Sequence, residues 1–202
     1  MEHQSVSSSL RLAIFGSGKG SNARALLEFA KRAPCHYEPV LLLSDVAEAG
    51  ILALGEEFDI ATRFFHPGPL RTRFSKEREE ELVSLLREAN IDLIALAGFL
   101  RIIQEPLLLA FPKRILNIHP SLLPHFPGLR AWEQAIEAKV KESGCTVHLV
   151  DDGIDTGTIL GQQCVPLLQN DTAKNLHARI QEAERELYPR ILDRFAKHLL
   201  EK

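Results

Sequence analysis

The chain has 202 residues, 45% hydrophobic and 25% charged, with a formal net charge of −3. Length and composition predict one globular domain that buries roughly 70–75% of its unfolded surface, and they exclude a disordered or fibrous chain. The slight acidity argues against nucleic-acid binding through a broad basic face, though a local basic cluster can still hold a phosphate. The cysteines Cys35, Cys145 and Cys164 are isolated. An odd count without a C-x-x-C pair argues against a disulfide framework and a zinc site, and fits a reduced cytoplasmic setting. No apolar stretch approaches the ~20 residues that a membrane span needs. MEHQSVSSSL lacks the apolar run of a signal peptide. Residues 1–10 are therefore expected to form a flexible tail ahead of a domain over 11–202.

The pattern alternates strands and helices. Leu12–Gly16 reads as a buried strand followed by a glycine-rich turn, and Asn22–Lys31 as a helix burying Leu26, Leu27, Phe29 and Ala30. Pro39–Ser44 is a second strand, Ala47–Phe58 a helix of uncertain start around Gly50 and Gly55, and Ala61–Phe65 a third strand. Arg71–Asn90 reads as a long helix with Phe74, Leu82, Leu85 and Leu86 inward and Glu77–Glu81 as a solvated face. Asp92–Ala97 and Arg114–Ile118 are buried strands flanking a short helix over Gln104–Ala110. Trp132–Ala138 is helical. Cys145–Val150 and Thr158–Val165 read as strands on either side of a tight turn. Asp171 to about Leu200 is a helix with Leu176, Ile180, Ala183, Leu187, Ile191 and Phe195 on one stripe, which Pro189 should kink or split. Continuous apolar strands separated by helices predict an α/β domain with a single doubly wound, mostly parallel sheet. The last strand pair is expected to be an antiparallel hairpin. The site should lie at the carboxyl ends of the strands.

Four segments carry candidate chemistry. Gly16–Asn22, GSGKGSN, joins a strand to a helix. Its glycines leave backbone amides open at a helix start, which suits a phosphate, although such a turn can also be purely structural. It is neither a P-loop, since Lys19 sits inside the glycines, nor a dinucleotide loop, which needs glycine where Ser21 stands. Asn117 and His119 lie two residues apart at a strand end, hence on one side of it, before Pro120. An amide and an imidazole there can hold an oxyanion and handle protons, or can simply be satisfied by backbone. His119 and His125 have no carboxylate or thiol at ligand spacing, so no metal site is expected. Asp151, Asp152 and Asp155 crowd a turn with two glycines. They serve turn chemistry, or bring a carboxylate beside His119; the order of a calcium loop is missing. Gly98–Ile103, GFLRII, either enters the core or lines an apolar slot for a flat heterocycle, with Arg101 as a solvated side chain or a clamp.

Together GSGKGSN, LAGFLRI, NIHPSLLP-x-FPG, G-x-TVH-x-VD-x-G-x-DTG and RIQEAERELYP, in this order over about residues 11–195, resemble the glycinamide ribonucleotide formyltransferases, a branch of the folate-dependent formyl transferases of purine biosynthesis. The resemblance implies a Rossmann-like formyltransferase fold and transfer of the formyl group of 10-formyltetrahydrofolate, as cosubstrate, to the amine of glycinamide ribonucleotide, without a metal. It implies Asn117, His119 and Asp155 as the catalytic trio. Gly20, Ser21 and Asn22 would hold the substrate phosphate, and Glu184 would contact the substrate. Phe99, Arg101, Ile102 and the turn Val150, Asp151, Asp152 would form the folate pocket, and His148 matches a histidine near the trio. Trp132 stands where many relatives have histidine, and Thr158 where proline is usual. The partners expected are these small molecules, with no nucleic acid and no membrane, on a monomer or homodimer. The rival readings are a formyltetrahydrofolate hydrolase or another formyltransferase on the same core, and a non-catalytic nucleotide-binding module. An initiator methionyl-tRNA formyltransferase would need an added basic carboxyl domain, for which no residues remain.

Overall fold

The computed structural model describes residues 9–32 and 34–202. Its strands are β1 (Leu10–Phe15), β2 (Tyr37–Ser44), β3 (Ala61–Phe64), β4 (Leu93–Leu96), β5 (Ile115–His119), β6 (Glu142–Leu149) and β7 (Ile159–Pro166). Its helices are α1 (Ser21–Ala30), α2 (Gly50–Phe58), α3 (Lys76–Glu88), α4 (Glu105–Ala110), α5 (Ala131–Glu137) and α6 (Ala173–Leu200). The strands form one sheet in the order β3-β2-β1-β4-β5-β6-β7. Pairing from β3 to β5 is parallel, while β6 runs antiparallel to both β5 and β7. The mostly parallel sheet and the closing hairpin are as the sequence predicts. The reversal begins one ladder earlier, at β5–β6, because an apolar run carries no mark of strand direction.

Burial on both faces explains the unbroken apolar runs. Leu12, Ile14, Leu42, Ala95, Leu116 and Ile118 face a core layer under α1, α2, α5 and α6. Ala13, Phe15, Leu43, Ile94, Leu96 and Ile115 face the layer under α3 and α4. Helices therefore cover both faces, as a doubly wound sheet requires. β1 already includes Leu10, inside the stretch expected to be a tail, while residues 1–8 lie outside the described residues.

Three expectations are corrected. The third helix starts at Lys76 rather than Arg71, with Ser75 as N-cap accepting from the Arg78 N–H at 3.4 Å. Upstream, Arg73 forms an extended bridge with Ile102, and Phe74 reaches the core from ahead of the helix. Within the run expected to be solvated, Glu79 is fully buried; its Oε1 accepts from the Gln104 N–H at 2.9 Å and ties α3 to the start of α4. Finally, of the kink or split expected at Pro189, the split does not occur: α6 is one helix from Ala173 to Leu200. Proline costs a helix about 3 kcal/mol. The buried stripe Leu176, Ile180, Leu187 and Ile191 offsets that, at roughly 1.5–3 kcal/mol for each large side chain.

Candidate active site

Alternation along β5 puts Ile115, Asn117 and His119 on one face, while Leu116 and Ile118 pack into the opposite layer. In the β5–β6 register Asn117 stands opposite His148, and its Nδ2 lies 3.1 Å from His148 Nε2. His148 Nδ1 lies 2.9 Å from the Leu149 carbonyl oxygen. A carbonyl only accepts, so Nδ1 carries a proton, and Nε2 faces both the Asn117 amide and Asp155. The same argument applies to His119, whose Nε2 donates to the Phe126 carbonyl at 2.9 Å. That bond fixes the ring and turns Nδ1 toward Asp155.

The turn between β6 and β7 folds back to this face. Asp155, with φ 56°, places Oδ2 at 3.2 Å from His119 Nδ1 and Oδ1 at 3.5 Å from His148 Nε2. Oδ2 also accepts from the Gly128 N–H at 2.8 Å. The turn is held close at its end: a Cβ on Gly157 would sit 1.7 Å from the Leu149 carbonyl oxygen. Asn117, His119 and Asp155, predicted as a set, are thus brought together, and His148 joins them. Burial opposes the Asp155 charge, but the contacts with His148, the Gly128 N–H and His119 outweigh it and hold the carboxyl below its ordinary range. Burial pushes the His119 imidazolium down, against the pull of Asp155 and the Phe126 carbonyl. An imidazolium held in this way gives up its proton more readily than an ordinary histidine, and it faces a carboxylate while doing so. This is a proton-handling centre beside an amide donor.

The glycine-rich turn lies two strands away, after β1. Gly20, at φ 80°, starts α1, and a Cβ there would meet the Ile51 Cα at 2.9 Å. Glycine is required on both counts. The first N–H groups of α1 have no partner within the helix and point out of its start. Ser21 is exposed at that start, while Asn22 is buried and donates through Nδ2 to Glu184 Oε2 at 2.9 Å. What Asn22 can offer an anion is therefore its backbone N–H. Glu184, from α6, is buried beside it. Burial pushes its carboxyl up to about 7, against the Asn22 hydrogen bond and the Arg185 charge.

The residues expected around a heterocycle divide. Ile102 and Asp152 line a crevice of about 820 Å³ with Leu70, Arg71, Arg73 and Leu109. Phe99 instead turns its ring into the core, 5.4 Å from Phe15 and 6.2 Å from Phe74. Val150 packs half-buried against the same core layer. Asp151 accepts from the Gly153 N–H and the Thr156 hydroxyl, which is turn chemistry. The Arg101 guanidinium is spent inside the protein on Asp45 and on the carbonyl of Leu70. Sequence reasoning missed the Phe126 carbonyl, the Gly128 N–H and Asp45. The first two are main-chain groups without a residue signature. Asp45 had one weak signal, an acidic residue directly after a buried strand. Among the described residues no group of three or more His, Cys, Asp or Glu side chains is set to hold a metal ion, and no helix is long and apolar enough to cross a membrane.

A family model described as formyl transferase matches residues 10–192. The phosphoribosylglycinamide formyltransferase of Bacillus subtilis is 38% identical over 90% of this chain and 92% of its own length. Among solved structures, glycinamide ribonucleotide transformylase 1 from Symbiobacterium toebii superposes with a TM-score of 0.90 at 38% identity, covering 95% of this chain and 90% of that one. The phosphoribosylglycinamide formyltransferase of Brucella melitensis superposes with a TM-score of 0.87 at 43% identity, covering 93% and 96%. Fold and sequence agree, and the chain belongs to the formyl transferase family, in its phosphoribosylglycinamide formyltransferase branch.

Proposed function

We propose that this chain transfers the formyl group of 10-formyltetrahydrofolate to the primary amine of glycinamide ribonucleotide. The observation that carries the reading is the contact of His119 Nδ1 with Asp155 at 3.2 Å, next to the Asn117 amide. The amine nitrogen attacks the formyl carbon, and the carbonyl electron pair moves onto oxygen. Asn117 Nδ2 and the His119 Nδ1 proton donate to that oxygen. Asp155 stabilises the imidazolium and, through water, receives the proton that the amine loses. As the oxygen pair returns, the bond from carbon to the folate nitrogen breaks, and that nitrogen takes a proton back. Holding two substrates together supplies much of the remaining gain.

The layout supports this division of labour. β4 separates β1 from β5, so the glycine-rich turn and the trio stand two ladder spacings apart, about 10 Å. That distance suits a phosphorylated sugar whose amine must reach β5 while Gly20, Ser21 and Asn22 hold its phosphate by backbone N–H groups. Glu184 contacts the substrate beside Asn22. Ile102, Val150, Asp151, Asp152 and the turn supported by Phe99 and Arg101 form the folate side. Arg71 and Arg73 there offer cations to the carboxylates that a folate carries. The unpaired Cys35, Cys145 and Cys164 fit a reduced, cytoplasmic setting.

The test is turnover, followed by the absorbance of the deformylated folate, with both substrates present. His119→Ala and Asp155→Asn should each lower kcat on the order of a hundred- to thousandfold with the fold intact. Near-normal rates in either variant refute the scheme. Release of folate without ribonucleotide would instead make the chain a hydrolase, and binding without turnover a nucleotide-binding module.

A further inference from the structure

Asp45 follows β2 directly and is buried, yet it belongs to neither substrate's set of contacts. Its two carboxylate oxygens face two different parts of the site. Oδ1 accepts from the Ser17 hydroxyl at 2.6 Å, in the glycine-rich turn. Oδ2 accepts from Arg101 Nε at 2.7 Å, in the turn after β4. The two turns also touch directly. The Ser17 N–H donates to the Gly98 carbonyl at 3.0 Å, and the Leu100 N–H donates to the Ser17 hydroxyl oxygen at 3.0 Å. Beyond Asp45, Arg101 Nη1 donates to the Leu70 carbonyl at 2.8 Å, and the guanidinium lies 5.3 Å from the centre of the Phe74 ring.

These contacts make one chain of hydrogen bonds. It starts at the turn that opens α1 and ends on the 70–73 segment, whose side chains line the 820 Å³ crevice. Both charged members are shielded, with side-chain exposures of 10% for Arg101 and 5% for Asp45, so the pair is little weakened by solvent. Asp45 joins the Ser17 half to the Arg101 half, beside the Ser17–Gly98 and Ser17–Leu100 contacts. A carboxylate in this place fixes the phosphate turn and the folate turn relative to each other.

We propose that Asp45 is a positioning residue that couples the two substrate sites, so that an anion in the glycine-rich turn strengthens binding of the folate in the crevice. The inference rests on the functional reading above. Filling the phosphate seat orders residues 17–22, Ser17 holds Asp45 and Leu100, and the 98–103 turn and the 70–73 segment are thereby set for the heterocycle. Coupling of this kind is reciprocal, so the folate strengthens phosphate binding by the same factor.

The experiment titrates a folate analogue lacking the formyl group, with and without saturating inorganic phosphate, against the unaltered chain, Asp45→Asn and Ser17→Ala. In the unaltered chain phosphate should tighten the analogue about fivefold or more. Asp45→Asn is nearly isosteric and loses the ion pair. Ser17→Ala keeps that pair and loses the hydroxyl's bonds to Asp45 and to the Leu100 N–H. In both, the phosphate effect should shrink toward none. In turnover assays Asp45→Asn should raise KM for both substrates while kcat stays within about twofold, whereas a merely structural residue would change thermal stability and leave the phosphate effect in place. An undiminished phosphate effect in both variants, or no effect in the unaltered chain, overturns the proposal. Loss of the functional reading shows separately, as absence of formyl transfer by the unaltered chain.

Discussion

Glu184 is 6% exposed, and its carboxyl is pushed up to about 7 by burial. It is faced by Asn22 from α1, by Cys145 from β6, and by Arg185 and Tyr188 on its own helix. Only Asn22 and Arg185 favour its charge. Cys145 and Tyr188 are themselves pushed up, by burial first and by the Glu184 charge in addition. In the unfolded chain this carboxyl titrates near 4.5. The native state therefore binds its proton more tightly, and the stability so gained is complete below about pH 4.5 and lost as pH rises through about 7. The size is on the order of 3 kcal/mol. Asp155 acts in the opposite sense: its carboxyl is held below 3.8, so it stabilises above that value and its share is lost in acid. Buried His119, pushed down, acts against this in the same range in both proteins, so urea unfolding from about pH 4 to about pH 8 should show the stability of the unaltered chain falling relative to that of Glu184→Gln. If the difference between the two proteins does not change with pH, the tension lies elsewhere.

At the scale of elements, the junction of α3 and α4 depends on one buried carboxylate. Glu79 Oε1 accepts from the N–H of Gln104, the N-cap of α4, while the Gln104 side chain donates to the Phe74 carbonyl. Burial pushes the Glu79 carboxyl up, against these hydrogen bonds. Glu79→Ala leaves the Gln104 N–H unpaired and should cost about 1–3 kcal/mol in denaturant unfolding. Glu79→Gln keeps an oxygen in place and should cost less than half of that; equal losses would show that volume rather than the hydrogen bond matters. This carboxylate also marks the limit of reading elements from sequence. The strands were legible, because four to six apolar residues bounded by glycine or polar residues suit a sheet covered on both faces. Helix starts were less so: Arg71–Ser75 has helical composition, and only the Ser75 hydroxyl and the extended pairing of Arg73 decide the matter. Glu79 sits among like charges, and its burial depends on where α4 lands. Residue type and spacing left Asn117, His119 and the Asp151–Asp155 cluster open between catalysis and turn or backbone roles; the resemblance to the formyltransferases singled out the trio. Its setting was not legible, because Phe126 and Gly128 act through main-chain groups that every residue carries, and Asp45 meets Arg101 across 56 positions of sequence.

At the scale of the whole molecule, strand order decides where the site is. The chain leaves β1 to build toward β3 on one side, then returns to β4 and builds toward β7 on the other. The crevice at the carboxyl ends opens at this reversal. The glycine-rich turn follows β1, Asn117 and His119 ride on β5, and Asp155 comes from the turn between β6 and β7, so the alignment of the turn with the trio depends on the β4–β5 pairing. α6 reaches across that pairing and also carries a candidate substrate contact. Its Tyr188 is fully buried, with the hydroxyl 3.1 Å from the Leu96 carbonyl of β4 and 3.0 Å from the Leu116 carbonyl of β5. One proton serves both acceptors, so the phenol holds whichever carbonyl is nearer and screens the other. Tyr188→Phe keeps the ring in the core and removes the oxygen. It should cost about 1–3 kcal/mol. For a chain of this length that lowers Tm by roughly 2–4 °C per kcal/mol. The buried stripe from Leu176 to Leu192 still anchors the helix. Glu184, one turn before Tyr188, should therefore keep its place beside Asn22, and kcat should change little. A fall in kcat as large as that of His119→Ala, without a fall in Tm, would mean that the phenol acts in the reaction and not in joining α6 to the two strands.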